Sequence, residues 1–242
     1  MKMRAVLSGM LALSVGLYGC ARRTVAAAAP AAYGSALVEV GGGKQSAAVG
    51  ARLDQPVVVQ VNDDQGAAVT GALVTFRGAA GVEFDPPSGP TDSSGQFTTN
   101  VSLGGMAGRY RLTASTITKN RKIVTLSMDE IALGYQEVLG RELNEQYCSR
   151  CHNPESTPER VSNYDNLETK PHAFTDGDTL NKISDADLVA IVGHGGPALN
   201  KSPLMPAYGY TLSKSDIEAL VAYMRMISDP PYRSPGISYA SK

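Results

Sequence analysis

The chain has 242 residues, 43% of them hydrophobic, and its 22 Lys and Arg nearly balance 23 Asp and Glu for a formal net charge of -1. That length accommodates two small modules more readily than one. The near-neutral balance gives no electrostatic footprint for a nucleic-acid partner.

Residues 1–19 open with Lys2 and Arg4, run through an apolar stretch from Ala5 to Val15, and close on Leu17, Tyr18 and Gly19 before Cys20. This reads as an export signal, too short to span a bilayer and charged only at its front. The L-x-G-C box resembles bacterial lipoprotein signals, which implies cleavage before Cys20 and lipid attachment to it. Several acyl chains make a stable anchor at about 0.8 kcal/mol per buried methylene. The expected location is therefore the exported side of a membrane, periplasmic or at the cell surface, with the outer membrane included. Residues 20–36 are Ala-rich with Arg22, Arg23 and Pro30, and read as a tether reaching about 50 Å at most.

Over residues 37–127 short alternating segments are separated by turn signals. Val57, Val59 and Val61 alternate before Asp63, Asp64, Gln65 and Gly66, and Ala72, Val74 and Phe76 alternate before Pro86, Pro87, Ser88 and Gly89. Asp92, Ser93, Ser94 and Gly95 precede Phe97, Thr99, Val101 and Leu103, and Tyr110, Leu112 and Ala114 follow a glycine cluster. Period two with Gly and Asp punctuation predicts an all-β sandwich. Asp63, Asp64 and Asp92 form a calcium cluster on one reading and turn residues on the other, which the Asp-stabilised turn favours. The pieces V-x-V-x-D-x-x-G, G-x-x-V-T-F and T-D-x-x-G-x-F are similar to the immunoglobulin-like domains of invasin and intimin-type surface proteins. The resemblance implies an immunoglobulin-like spacer or docking platform.

From Met128 the texture turns helical. Ile131, Tyr135, Val138, Leu139 and Leu143 fall at helical spacing; Ser184 with Asp187 opens a second helix through Leu188, Ile191 and Val192, ending at Gly193. Ser213 with Asp216 opens the last, with Ile217, Leu220, Val221, Met224 and Ile227 along one face. Residues 229–242, DPPYRSPGISYASK, read as an extended Pro-rich tail.

Between the first two helices stand Cys148, Ser149, Arg150, Cys151 and His152, the C-x-x-C-H spacing of covalent haem attachment: two thiols form thioethers to one porphyrin edge and the imidazole lies under the iron. With three cysteines in the chain, lipid on Cys20 and haem on the other two leave none over. The rival readings are a zinc pair, which needs two more ligands where His172 and His194 have no ligand-pair spacing, and a thiol redox motif, which wants a βαβ context. For the sixth ligand, Met205 beside Pro206 in a loop is favoured over His194, while Met128, Met224 and Met226 sit near or on predicted helices.

Helix, CSRCH, loop, Met-Pro and a C-terminal amphipathic helix over about residues 130–228 resemble a class I cytochrome c domain, assigned here to 128–228. The resemblance implies an all-α fold and one covalent haem c, with Cys148 and Cys151 as thioether positions, His152 as proximal ligand and Met205 as distal ligand. It also implies Gly140 at a crossing of first and last helices, met by Leu220 and Tyr223. The sequence departs from the family at Asn144, where an aromatic is common, and at Asn153, where Gly is common. The latter leaves open which carbonyl receives the other nitrogen of His152.

The resulting expectation is a membrane-anchored monohaem cytochrome carrying single electrons, with no catalysis of its own. Its partner would be a membrane redox complex: an oxidase, a quinol-oxidising complex or a photosynthetic reaction centre. From Asp129 to Lys242 ten Lys and Arg face sixteen Asp and Glu, so Lys182, Lys201 and Lys214 do not make a basic docking surface, and an acidic carrier suits a positive partner rim. The alternative, a haem-based sensor or adhesion protein binding through the sandwich, requires a labile sixth ligand.

Overall fold

The computed structural model describes residues 32–153 and 163–234. The export segment, Cys20 and most of the tether lie outside the described residues. Among the described residues nine strands form in chain order: β1 (Ala36–Gly41), β2 (Ser46–Ala48), β3 (Val57–Asn62), β4 (Leu73–Gly78), β5 (Glu83–Asp85), β6 (Ser88–Pro90), β7 (Gln96–Ser102), β8 (Gly108–Ile117) and β9 (Ile123–Leu133). They make two sheets, ordered β1-β3-β7-β5 and β2-β9-β8-β4-β6. β2 pairs with β9 in parallel, while the long β8–β9 pair is antiparallel.

Alternation drives the sandwich. Val57, Val59 and Val61 of β3 and Val74 of β4 are fully buried, each inward side chain contributing about 1.5–3 kcal/mol of burial. Phe76 packs between Phe84 and Phe97, with centroids 5.5 Å and 6.0 Å away. The Asp residues build turns: Oδ1 of Asp63 accepts from the amides of Gln65 at 2.9 Å and Ala67 at 2.8 Å. Asp92 does the same for Ser94 at 2.8 Å and Gln96 at 3.0 Å, before Gly95 at φ 74°.

The expected change of texture at Met128 falls inside a strand. β9 runs to Leu133, and Met128 and Ile131 belong to it and to no helix. The reason is burial on both faces: Met128 and Ala132 join the sandwich core, whereas Ile131 and Leu133 join the helical core. Alternation disappears from the sequence there, and Ile131 falls in step with a helix it does not enter. Tyr135, expected on the same apolar face, is 89% exposed.

Helix α1 (Tyr135–Leu143) leads into a π-helical turn, Asn144–Cys148, and then α2 (Ser149–His152). A 3-10 turn, Tyr164–Asn166, precedes α3 (Gly177–Leu180) and α4 (Asp185–His194); a second, Gly196–Leu199, precedes α5 (Lys214–Ile227). Ser184 caps α4 and Ser213 with Asp216 closes a capping box on α5. α4 continues one residue past Gly193 and is closed by Gly195 at φ 83°. Gly140 is where α1 meets α5: a Cβ there would lie 2.1 Å from the carbonyl oxygen of Ala219 and 2.7 Å from Cβ of Tyr223. Leu220, beside that contact, is fully buried in the helical core.

The two modules are joined by more than the chain. Arg109 of β8 donates to the carbonyl oxygens of Met226, at 3.2 Å, and Ser228, placing a cation on the C-terminal end of α5 where orphan carbonyls and the helix dipole both favour it. Arg141 of α1 reaches the Ser46 carbonyl at 3.4 Å. The predicted extended tail starts out packed: Asp229 donates its amide to Thr175 at 2.8 Å, and Tyr232 lies 4.0 Å under the Arg225 guanidinium.

Candidate functional site

The helical module encloses an apolar cavity of about 270 Å³, lined by Cys148, Cys151, His152, Phe174, Met205 and Tyr208 among others. Four of the sequence-predicted site residues are therefore brought together around one space. His194 does not line it and is exposed as the last residue of α4. Lys201 borders the cavity, whereas Lys182 and Lys214 do not.

His152 is held by geometry that the sequence left open. Its Nδ1 lies 2.7 Å from the carbonyl oxygen of His172, an acceptor only, so Nδ1 carries the proton and Nε2 is left for a ligand. The ring meets Phe174 edge-on at 5.2 Å and 62°. Burial holds the imidazole pKa below its ordinary value, favouring the neutral form that ligates. The His172 ring is itself fixed, with Nδ1 2.7 Å from Oδ2 of Asp176, whose Oδ1 accepts from Thr179 at 3.1 Å.

Among the described residues Cys148, buried, and Cys151, half-buried, form no disulfide. Burial, with repulsion from Cys151 adding, pushes the Cys148 thiol up to about 12. Among the described residues no three His, Cys, Asp or Glu gather as a metal-binding set. An apolar slot lined by two cysteine side chains, a tautomer-fixed imidazole and a thioether side chain fits haem c.

Met205 is half-buried and packs against the helical core. Two glycines bring its loop in. Gly196 donates to the Met205 carbonyl at 3.1 Å, a Cβ on Gly195 would lie 2.9 Å from that oxygen, and one on Gly196 would lie 2.0 Å from the Ser202 carbonyl. Gly195, Gly196, His172, Asp176 and Tyr208 were not singled out from sequence as parts of this site. The G-H-G-G run was the available signal for the glycines. The others gave none, because their roles depend on which distant segments meet.

The family described as "Cytochrome C oxidase, cbb3-type, subunit III" matches residues 137–224, so this helical region matches a cytochrome c domain. No curated protein matches the chain. Solved structures similar to it include the D00-D0 domain of intimin, 17% identical with a TM-score of 0.31, covering 41% of this chain and 46% of that one. FdeC, an Escherichia coli adhesin, is 12% identical with a TM-score of 0.26, covering 38% of this chain and 29% of that one. The chain thus spans less than half of the intimin structure, and at such TM-scores the sandwich assignment rests on its own strand topology.

Proposed function

We propose that this protein is a membrane-anchored monohaem c-type cytochrome that carries single electrons between redox complexes on the exported side of a membrane. The observation that carries this reading is the common cavity of Cys148, Cys151, His152 and Met205, with His152 presenting Nε2. Cys148 and Cys151 would hold haem c through thioethers, and His152 and Met205 would be its axial ligands. When bound, the group supplies a one-electron ferric/ferrous couple. The protein's part is to fix its ligands and exclude water: the His172 carbonyl orients the imidazole, Phe174 meets it edge-on, and the Met205 thioether would favour the ferrous state.

With His152 and Met205 as its ligands, the haem would keep no open position for a substrate, which favours a carrier over an enzyme. The matched family's description, a subunit of a cbb3-type oxidase, supports a membrane redox complex as the proposed partner class. Lipid on Cys20 would anchor the chain and the sandwich would hold the haem off the bilayer. Carbon monoxide added to the reduced holoprotein separates carrier from sensor. The carrier excludes it on the timescale of seconds, whereas rapid binding would assign the haem a sensing role.

A further inference from the structure

The Met205 loop is fastened to its own side of the cavity by backbone. Tyr208 and Gly209 donate their amides to the last carbonyls of α4, at Val192 (3.0 Å) and Gly193 (2.9 Å), and the Tyr208 carbonyl accepts from Thr211 and Leu212, both at 2.8 Å. The stem of Tyr208 is thereby rigid, and its half-buried side chain reaches across to the attachment segment. Its hydroxyl donates to the carbonyl of Tyr147, the residue before Cys148, at 2.9 Å. The two rings meet edge-on at 6.0 Å and 64°.

Tyr147 lies in the π turn, where the Ser149 amide bonds to Asn144 and the usual helical register is interrupted. Such a turn leaves carbonyls that need other partners. Ser149 Oγ serves Glu145 at 2.9 Å, and Tyr208 serves Tyr147.

We infer that Tyr208 is a positioning residue: its hydroxyl ties the loop bearing Met205 to the segment bearing Cys148, Cys151 and His152, and so sets how firmly the thioether stays on the iron. This rests on Met205 as the sixth ligand. An ion-pair clamp would weaken with salt; a neutral bond shielded by two rings does not depend on it. Tyr208→Phe keeps the ring and removes only that bond.

The test is imidazole binding to the oxidised holoprotein, followed by loss of the sulfur-to-iron near-infrared band. Tyr208→Phe should bind imidazole about 2- to 10-fold more tightly than the parent, the range one neutral hydrogen bond spans. Tyr210→Phe, altered at a fully exposed ring, should match the parent. Unchanged imidazole affinity in Tyr208→Phe overturns the inference, even if its denaturation midpoint falls, since that would be a merely structural role. If Met205→Ala also binds imidazole as the parent does, the ligand assignment itself is wrong and the inference goes with it.

Discussion

His152, Cys148 and Cys151 announce themselves because thioether attachment is local chemistry: it needs the three side chains on one short segment, so the spacing is written in consecutive residues. Met205 is readable from its loop position beside Pro206, at the place where the resembled family carries its distal ligand. What holds these residues was not readable. The His172 carbonyl sits 20 positions along the chain from His152, and Tyr208 reaches a carbonyl 61 positions away. Such partners exist only once the loop between them has closed. The thioether assignment predicts that Met205→Ala loses the near-infrared sulfur-to-iron band of the oxidised protein and has a lower midpoint potential, because a ferrous-stabilising ligand is gone. A potentiometric titration giving an unchanged midpoint would move the sixth ligand elsewhere.

Elements were legible where one face is wet. β3 and α5 carry clean periods of two and 3.6, and the Ser213–Asp216 box marks the start of α5. β9 was misread at its end because sandwich and helices both cover it, and the π turn before Cys148 has no sequence signature. Glu130 of β9 is also completely buried, with Oε2 accepting from the Gln45 amide at 2.6 Å and Oε1 without a partner among the described residues. Burial pushes its carboxyl from 4.5 up to about 7. A folded-state pKa above the unfolded one means that the folded protein holds the proton more tightly. Its contribution is thus complete below about pH 4.5 and is lost as pH rises through about 7. Thermal denaturation should therefore show a midpoint that falls between pH 5 and 8 in the parent and much less in Glu130→Gln. Parallel slopes would contradict it.

At the scale of the whole molecule, sandwich and haem module share strand β9 and are pinned by Arg109 across more than a hundred residues of sequence, at Met226 and Ser228. That joint could not be read from either module's pattern. Under the proposed anchoring the sandwich would be a standoff of roughly 30 Å, from a radius of gyration near 12 Å, and the proposed Ala-rich tether would be the source of reach. The proposed anchor would then set local concentration and not chemistry. Cys20→Ala should release a protein with the parent's haem spectrum and potential whose electron transfer to membranes is slower. Equal rates at equal bulk concentration would remove the tether from the account.

The measurement that bears most directly on the central claim is peptide mass spectrometry of the denatured holoprotein, because covalent haem survives unfolding and a coordinated ion does not. One haem joined through thioethers to both Cys148 and Cys151 is the predicted result. Free thiols at those positions, or zinc recovered in place of haem, would contradict it.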